Sequence, residues 1–250
     1  MGANVLRRMT QRHWVALFGA TLVLWCLLFL AALPETMLAS RGVAWIEAIC
    51  SVTPGTAGFG TAVLMWAVMS AAMMAPTALP AFATYDDLPN TKAAGMAQLL
   101  AGYLTIWFSF AVLAAGVQTV LATNGLLNTL GQSTSIWLTA ALLGLAGLYQ
   151  FSALKDACLS RCRAPLTFFM SHWDEGAFRN GLRLGADCLG CCWALMLLAF
   201  VGGTMNLAFM GLAMVLMTLE KLPDLGGHIT KPLGGGLIVL AVLTPLSLFI

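Results

Sequence analysis

Long apolar runs, separated by short polar or Gly/Pro-containing segments, dominate the chain. They cover residues 14–33, 59–84, 95–123, 134–154, 188–202, 204–219 and 234–250. A helix needs about 20 apolar residues to cross a hydrocarbon core about 30 Å thick, and most of these runs meet or approach that length. Each is bounded by Pro, Gly, Asn or a charged residue, the expected punctuation. The pattern predicts an all-α fold, a polytopic transmembrane helix bundle of about seven spans. The stretch from Cys188 to Leu219 is the hardest to place. As one helix it would extend about 48 Å, too far for a bilayer, and Gly202-Gly203-Thr204 near its middle predicts a turn between two short spans.

Composition supports this reading. Hydrophobic residues make up 60% of the chain and charged residues 9%, against about half and about a quarter in soluble domains. No soluble domain has room to form, so residues 1–250 read as one integral membrane domain. The first run, Trp14 to Leu33, follows Arg7, Arg8 and Arg12 and has no small-residue cleavage site before Pro34-Glu35. It is expected to be a retained signal anchor.

Charge placement arbitrates topology. With the amino terminus in the cytoplasm and a turn at Gly202-Gly203, the basic residues Arg7, Arg8, Arg12, Lys92, Lys155, Arg161, Arg163, Arg179, Arg183, Lys221 and Lys231 face inward and only Arg41 faces out. One bent helix would instead move Lys221 and Lys231 outside, so the positive-inside rule favours seven spans. The largest cytoplasmic segment then runs from Lys155 to Asp187. Within it residues 165–178 carry aromatics on both sides of a charged patch, which fits either an interfacial helix at the headgroups or a connecting loop with anchoring aromatics. A net charge of +2 that is mostly topogenic argues against a nucleic-acid partner.

Sulfur chemistry is concentrated in two places. In Asp187-Cys-Leu-Gly-Cys-Cys-Trp193 the thiols of Cys188, Cys191 and Cys192 are spaced i, i+3, i+4 and share one helical face. Cys158 and Cys162 form a second i, i+4 pair beside Arg161 and Arg163. Both clusters fall at the cytoplasmic edge, where thiols stay reduced, so metal ligation or redox chemistry is favoured over structural disulfides. Cys26 and Cys50 are isolated and read as packing residues. Thiolates suit Cu(I), Zn(II) and iron–sulfur centres.

Methionine helps to choose. Met65, Met69 and Met73 recur every four residues with Met74 adjacent, and Met210, Met214 and Met217 follow one face further on. Thioethers bind Cu(I) far better than Zn(II), which points to monovalent copper, with zinc second. The other reading of such ladders is packing, because Met fills gaps in apolar helices. Pro76 and Pro80 are expected to break the second span and free carbonyls beside Met73 and Met74.

Ionisable residues next to the spans are the remaining candidates. Asp187 reads as a helix N-cap, a hard ligand or an acceptor behind the ligands. Glu220-Lys221 reads as a helix end at the headgroups, and Asn206 and Gln150 as hydrogen-bonding groups between helices.

The stretches 69–76 and 149–165, and the block from Cys188-Leu-Gly-Cys-Cys-Trp through Gly202-Gly-Thr-Met-Asn206 to Glu220-Lys221, resemble the bacterial family of predicted metal-binding integral membrane proteins. Some members of that family carry a provisional copper chaperone label. The resemblance runs from the second span through Lys221 and implies a multi-pass protein of the bacterial inner membrane. Where many relatives place a His-Gly pair before the cysteine block, this chain has Leu184-Gly185; an imidazole ligand is lost, leaving Asp187 as its substitute or a site of thiolates only.

No catalytic constellation competes. His13, His172 and His228 are dispersed, and zinc-protease, phosphate-loop and dinucleotide fingerprints are absent, so the chain is not expected to be an enzyme. The expected ligands are Cys188, Cys191 and Cys192, joined by Cys158, Cys162, Met73, Met74, Met196 and Asp187. The expected role is a membrane copper chaperone or transporter, with membrane lipid around it and a metal-delivery or periplasmic protein as partner. The alternative is a metal-free scaffold or assembly subunit whose cysteines serve packing or palmitoylation.

Overall fold

A computed structural model describes residues 19–26, 58–88, 93–204, 206–222 and 226–246. Most of the first apolar run and the residues Arg7, Arg8, Arg12, His13, Arg41, Cys50 and Lys92 lie outside these residues. The helices are α1 (Phe59–Thr77), α2 (Leu79–Asp86), α3 (Ala93–Thr123), α4 (Ile136–Tyr149), α5 (Ala153–Arg163), α6 (Pro165–His172), α7 (Ala177–Leu197), α8 (Ala199–Gly202), α9 (Leu207–Lys221) and α10 (Gly226–Leu246). Residues 19–26 are helical as well. No strand occurs among the described residues beyond one bridge between Leu127 and Ser133.

Among the described residues four helices are long and apolar enough to cross a membrane: Phe59–Thr77, Ala94–Thr123, Ala177–Gly202 and Gly226–Leu246. A fifth crossing is available if α4 and α5, bent by 61°, act as one broken span. With its 15 residues, α9 extends only about 22 Å.

The expected boundaries shift most at α7. It begins at Ala177, so the cysteines lie in the middle of a helix rather than at its mouth. The segment 177–187 carries Arg179, Asn180, Arg183 and Asp187, and these polar residues interrupt the apolar pattern without interrupting the helix. Asp187 is therefore no N-cap. The expected turn after Gly202 is present: Gly203 has φ +95°, a conformation other residues adopt with strain. Asn206, expected to bridge helices, instead caps α9 by accepting from Phe209 N at 3.1 Å. Gln150 is buried, and its amide finds no partner among the described residues.

At the centre of the bundle α3 and α7 pack most extensively, followed by α4 with α10 and α1 with α3. The α3–α7 contact depends on absent side chains. A Cβ on Gly181 would run into the carbonyl of Leu99, and one on Gly102 into that of Phe178. Small residues allow this backbone approach in membrane bundles, where apolar burial alone gives no drive for helices to associate.

Proline opens α1 as expected. Pro76 has no N–H for the Ala72 carbonyl, and the Trp25 indole donates to that oxygen at 3.1 Å. At the helix end Ala78 N turns to Ala75 O and Pro76 O, which frees the Met74 carbonyl. The hydroxyls of Tyr103 and Thr77 donate to it at 2.8 and 2.9 Å. In the connecting segment, α6 packs on α2 with Phe168 and Phe169 buried and Leu166, Met170 and Trp173 exposed.

Candidate metal centre

Cys188, Cys191 and Cys192 are all buried, and their sulfurs lie within 4.8 Å of one another. Helical spacing does this: residues three and four apart stack on one face. The thiols of Cys191 and Cys192 donate to the Cys188 carbonyl at 3.0 and 2.8 Å. A thioether joins from α1, with Met74 Sδ 3.8 Å from Cys192 Sγ. From α5 comes Cys162, half-buried, which lines a small pocket together with Cys188, Tyr103 and Lys221. The two cysteine clusters thus meet in space through Cys162.

Cys188 also has polar company. Lys221 Nζ donates to its sulfur at 3.0 Å and to Thr77 Oγ1 at 2.7 Å, and the Tyr103 hydroxyl lies 3.0 Å from the same sulfur. The ammonium is buried, so its charge is little screened by solvent, and it faces a group that becomes an anion when it ligates a metal. Expected at the headgroups, Glu220 and Lys221 are both interior. Glu220 pairs with the buried Lys155 at 2.8 Å, and its carbonyl accepts from Arg163 Nε at 2.9 Å. The short α9 and the bend before α5 bring these charges inside; a charge buried in apolar surroundings persists only when paired.

The remaining candidates point elsewhere. Asp187 Oδ1 pairs with Arg161 at 2.9 Å and is absent from the group of converging ligand atoms. Cys158 packs on Gly190, where an added Cβ would lie 2.6 Å from its sulfur. The Tyr149 hydroxyl donates to the Gly190 carbonyl at 2.5 Å, so the backbone behind the thiols is held from that side. Met73 and Met196 line a neighbouring pocket with Met69 and Met210.

Lys221, Tyr103 and Thr77 were not among the expected site residues. For Lys221 a signal existed, an ionisable pair closing an apolar run; Tyr103 and Thr77 carry none.

The donors brought together are three thiols and one thioether, with a fourth thiol, Cys162, in a pocket shared with Cys188. Hard cations prefer oxygen donors, whereas such a set fits a soft cation. Helix lengths and the buried soft donors define the class as an all-helical membrane protein with a candidate thiolate metal centre. Residues 63–244 match the PpoB2 family, described as Copper chaperone, and the chain belongs to that family. Neither a curated protein nor a solved structure matches it.

Proposed function

We propose that the protein is a membrane copper chaperone that carries Cu(I) as cargo on Cys188, Cys191, Cys192 and Met74. The observation that carries this reading is the convergence of three buried thiols with a thioether from a second helix. Each thiol that ligates gives up its proton. Two thiolates around a monovalent ion leave one negative charge, and Lys221 beside Cys188 offsets it. Cys162, half-buried and lining one pocket with Cys188, is the entry and exit ligand: an ion reaches the interior by exchange from one sulfur to the next. Arg161 and Arg163 on the same helix support, through the positive-inside rule, an entrance at the cytoplasmic face of the inner membrane, the side on which a delivery partner would dock.

The test is anaerobic metal analysis of the detergent-purified chain beside a variant with Cys188, Cys191 and Cys192 all changed to Ser. Copper content is expected to fall by one ion per chain in the variant. Equal copper in both would overturn the assignment, and zinc lost in place of copper would redefine the cargo. Reconstitution in sealed vesicles distinguishes the two modes of handling. A chaperone loads an acceptor on one side only, whereas copper appearing in the opposite compartment would make the protein a transporter.

A further inference from the structure

We infer that Met69, Met73, Met196 and Met210 form a second soft-metal site, an all-thioether pocket for Cu(I) or Ag(I) one helical turn from the thiol centre. The four side chains are buried, come from three helices and line one cavity whose remaining walls are apolar, among them Ala199 and Phe209. Met69 and Met73 stand four residues apart on α1 and therefore share a face. The pocket joins the thiol centre along two helices at once. On α1, Met73 precedes Met74, whose sulfur touches Cys192. On α7, Met196 follows Cys192 by four residues, about 6 Å along the axis.

The donor chemistry defines the ligand. Thioethers are soft and neutral, and the lining holds no carboxylate, imidazole or thiol, so the site accepts monovalent copper or silver and rejects Zn(II) and Mg(II). Since no ligand offsets the ion's charge, binding is weaker and exchange faster than at the thiols. Those are the properties of a stop through which cargo passes. The site goes beyond the thiol reading and stands or falls separately from it.

Silver titration of the full chain in detergent tests it, using the thiol-to-Ser variant, a variant with all four methionines changed to Leu, and the two combined. The Ser variant is expected to keep one Ag(I) per chain, bound at least tenfold more weakly than the ion it lost, and to take up no Zn(II). Its sulfur coordination by X-ray absorption should be thioether only. The Leu variant is expected to keep the thiol ion and lose the other, and the combined variant to bind none. Met-to-Leu exchanges conserve volume. If the fourfold variant does not fold, Met210→Leu in the Ser background decides, with a tenfold loss expected. No Ag(I) on the Ser variant, or an ion that survives loss of the methionines, would overturn the site. Equal binding by the wild-type and Ser chains would overturn the thiol centre alone.

Discussion

The helices α7 and α10 are alike in length and apolar enough to cross a bilayer, yet they occupy opposite situations. Within the most apolar 18-residue stretch, 67% of the span containing α7 is buried inside the protein, against 17% for α10. Protein surrounds α7, so its polar and sulfur-bearing face meets partners from α1, α3, α5 and α9. Among the described residues much of α10 faces outward, with Val239, Leu240, Val242 and Leu243 exposed, and its closest packing is against α4, with a smaller contact to α9. Hydropathy finds both helices but does not separate the central one from the peripheral one. What separates them is where charge and sulfur are placed: α7 is built to be enclosed, and α10 to meet lipid.

Substitutions sharpen that contrast. The largest effect is expected for Lys155→Ala, which leaves the buried Glu220 carboxylate without its counter-ion and should cost about 3–5 kcal/mol. The exposed Lys231→Ala on α10 should change stability by less than about 0.5 kcal/mol. Thermal unfolding in detergent compares the two, and equal effects would break the comparison.

Next come the glycines. Gly181→Ala on α7 forces a Cβ against the Leu99 carbonyl and should destabilise by about 1–3 kcal/mol. Gly235→Ala on α10, where nothing lies within 4 Å, should stabilise by about 0.5–1 kcal/mol through helix propensity. The two changes are chemically identical and have opposite expected signs in the same unfolding assay.

Lys221→Met tests the charge at the thiols. Loss of a charge-assisted hydrogen bond worth about 1.5–3 kcal/mol should weaken Cu(I) binding by roughly ten- to a hundredfold, read by competition with a chromophoric chelator. Lys231→Met should leave the affinity unchanged.

The smallest effect belongs to the exposed pair at the start of α7, where Arg183 donates to both carboxylate oxygens of Glu175 at 2.7 and 2.8 Å. The hydrogen bonds from Arg183 hold the Glu175 carboxyl below the usual range. A depressed carboxylate contributes stability above its unfolded value, about 4.3, and loses it as pH falls through the lower folded value. The small difference between wild type and Glu175→Gln should therefore be present at neutral pH and vanish in acid.

Local pattern carried much of the architecture. The cysteine spacing places three thiols on one face whatever the helix boundaries, and Gly202-Gly203 marks a real turn. The start of α7 was hidden because Arg179, Arg183 and Asp187 make its first three turns look like a loop; the charges of Arg183 and Asp187 are accommodated by Glu175 and Arg161, which the local sequence does not reveal. Lys155 and Glu220, 65 residues apart, are another case. A pairing at that separation leaves no trace in either segment, so Glu220-Lys221 looked like an ordinary helix end. Asn206 was legible and misread, since an Asn immediately before an apolar run is a cap signal.

The short α9 ties the centre to the surrounding lipid. A helix of about 22 Å in a core of about 30 Å has a hydrophobic mismatch of several ångströms. Its Lys221 end is buried within the bundle, where it reaches Cys188. Under the proposed function, bilayer thickness thereby becomes a variable of copper handling: thicker membranes would press more strongly on the end that holds the counter-charge, and thinner ones would relieve it.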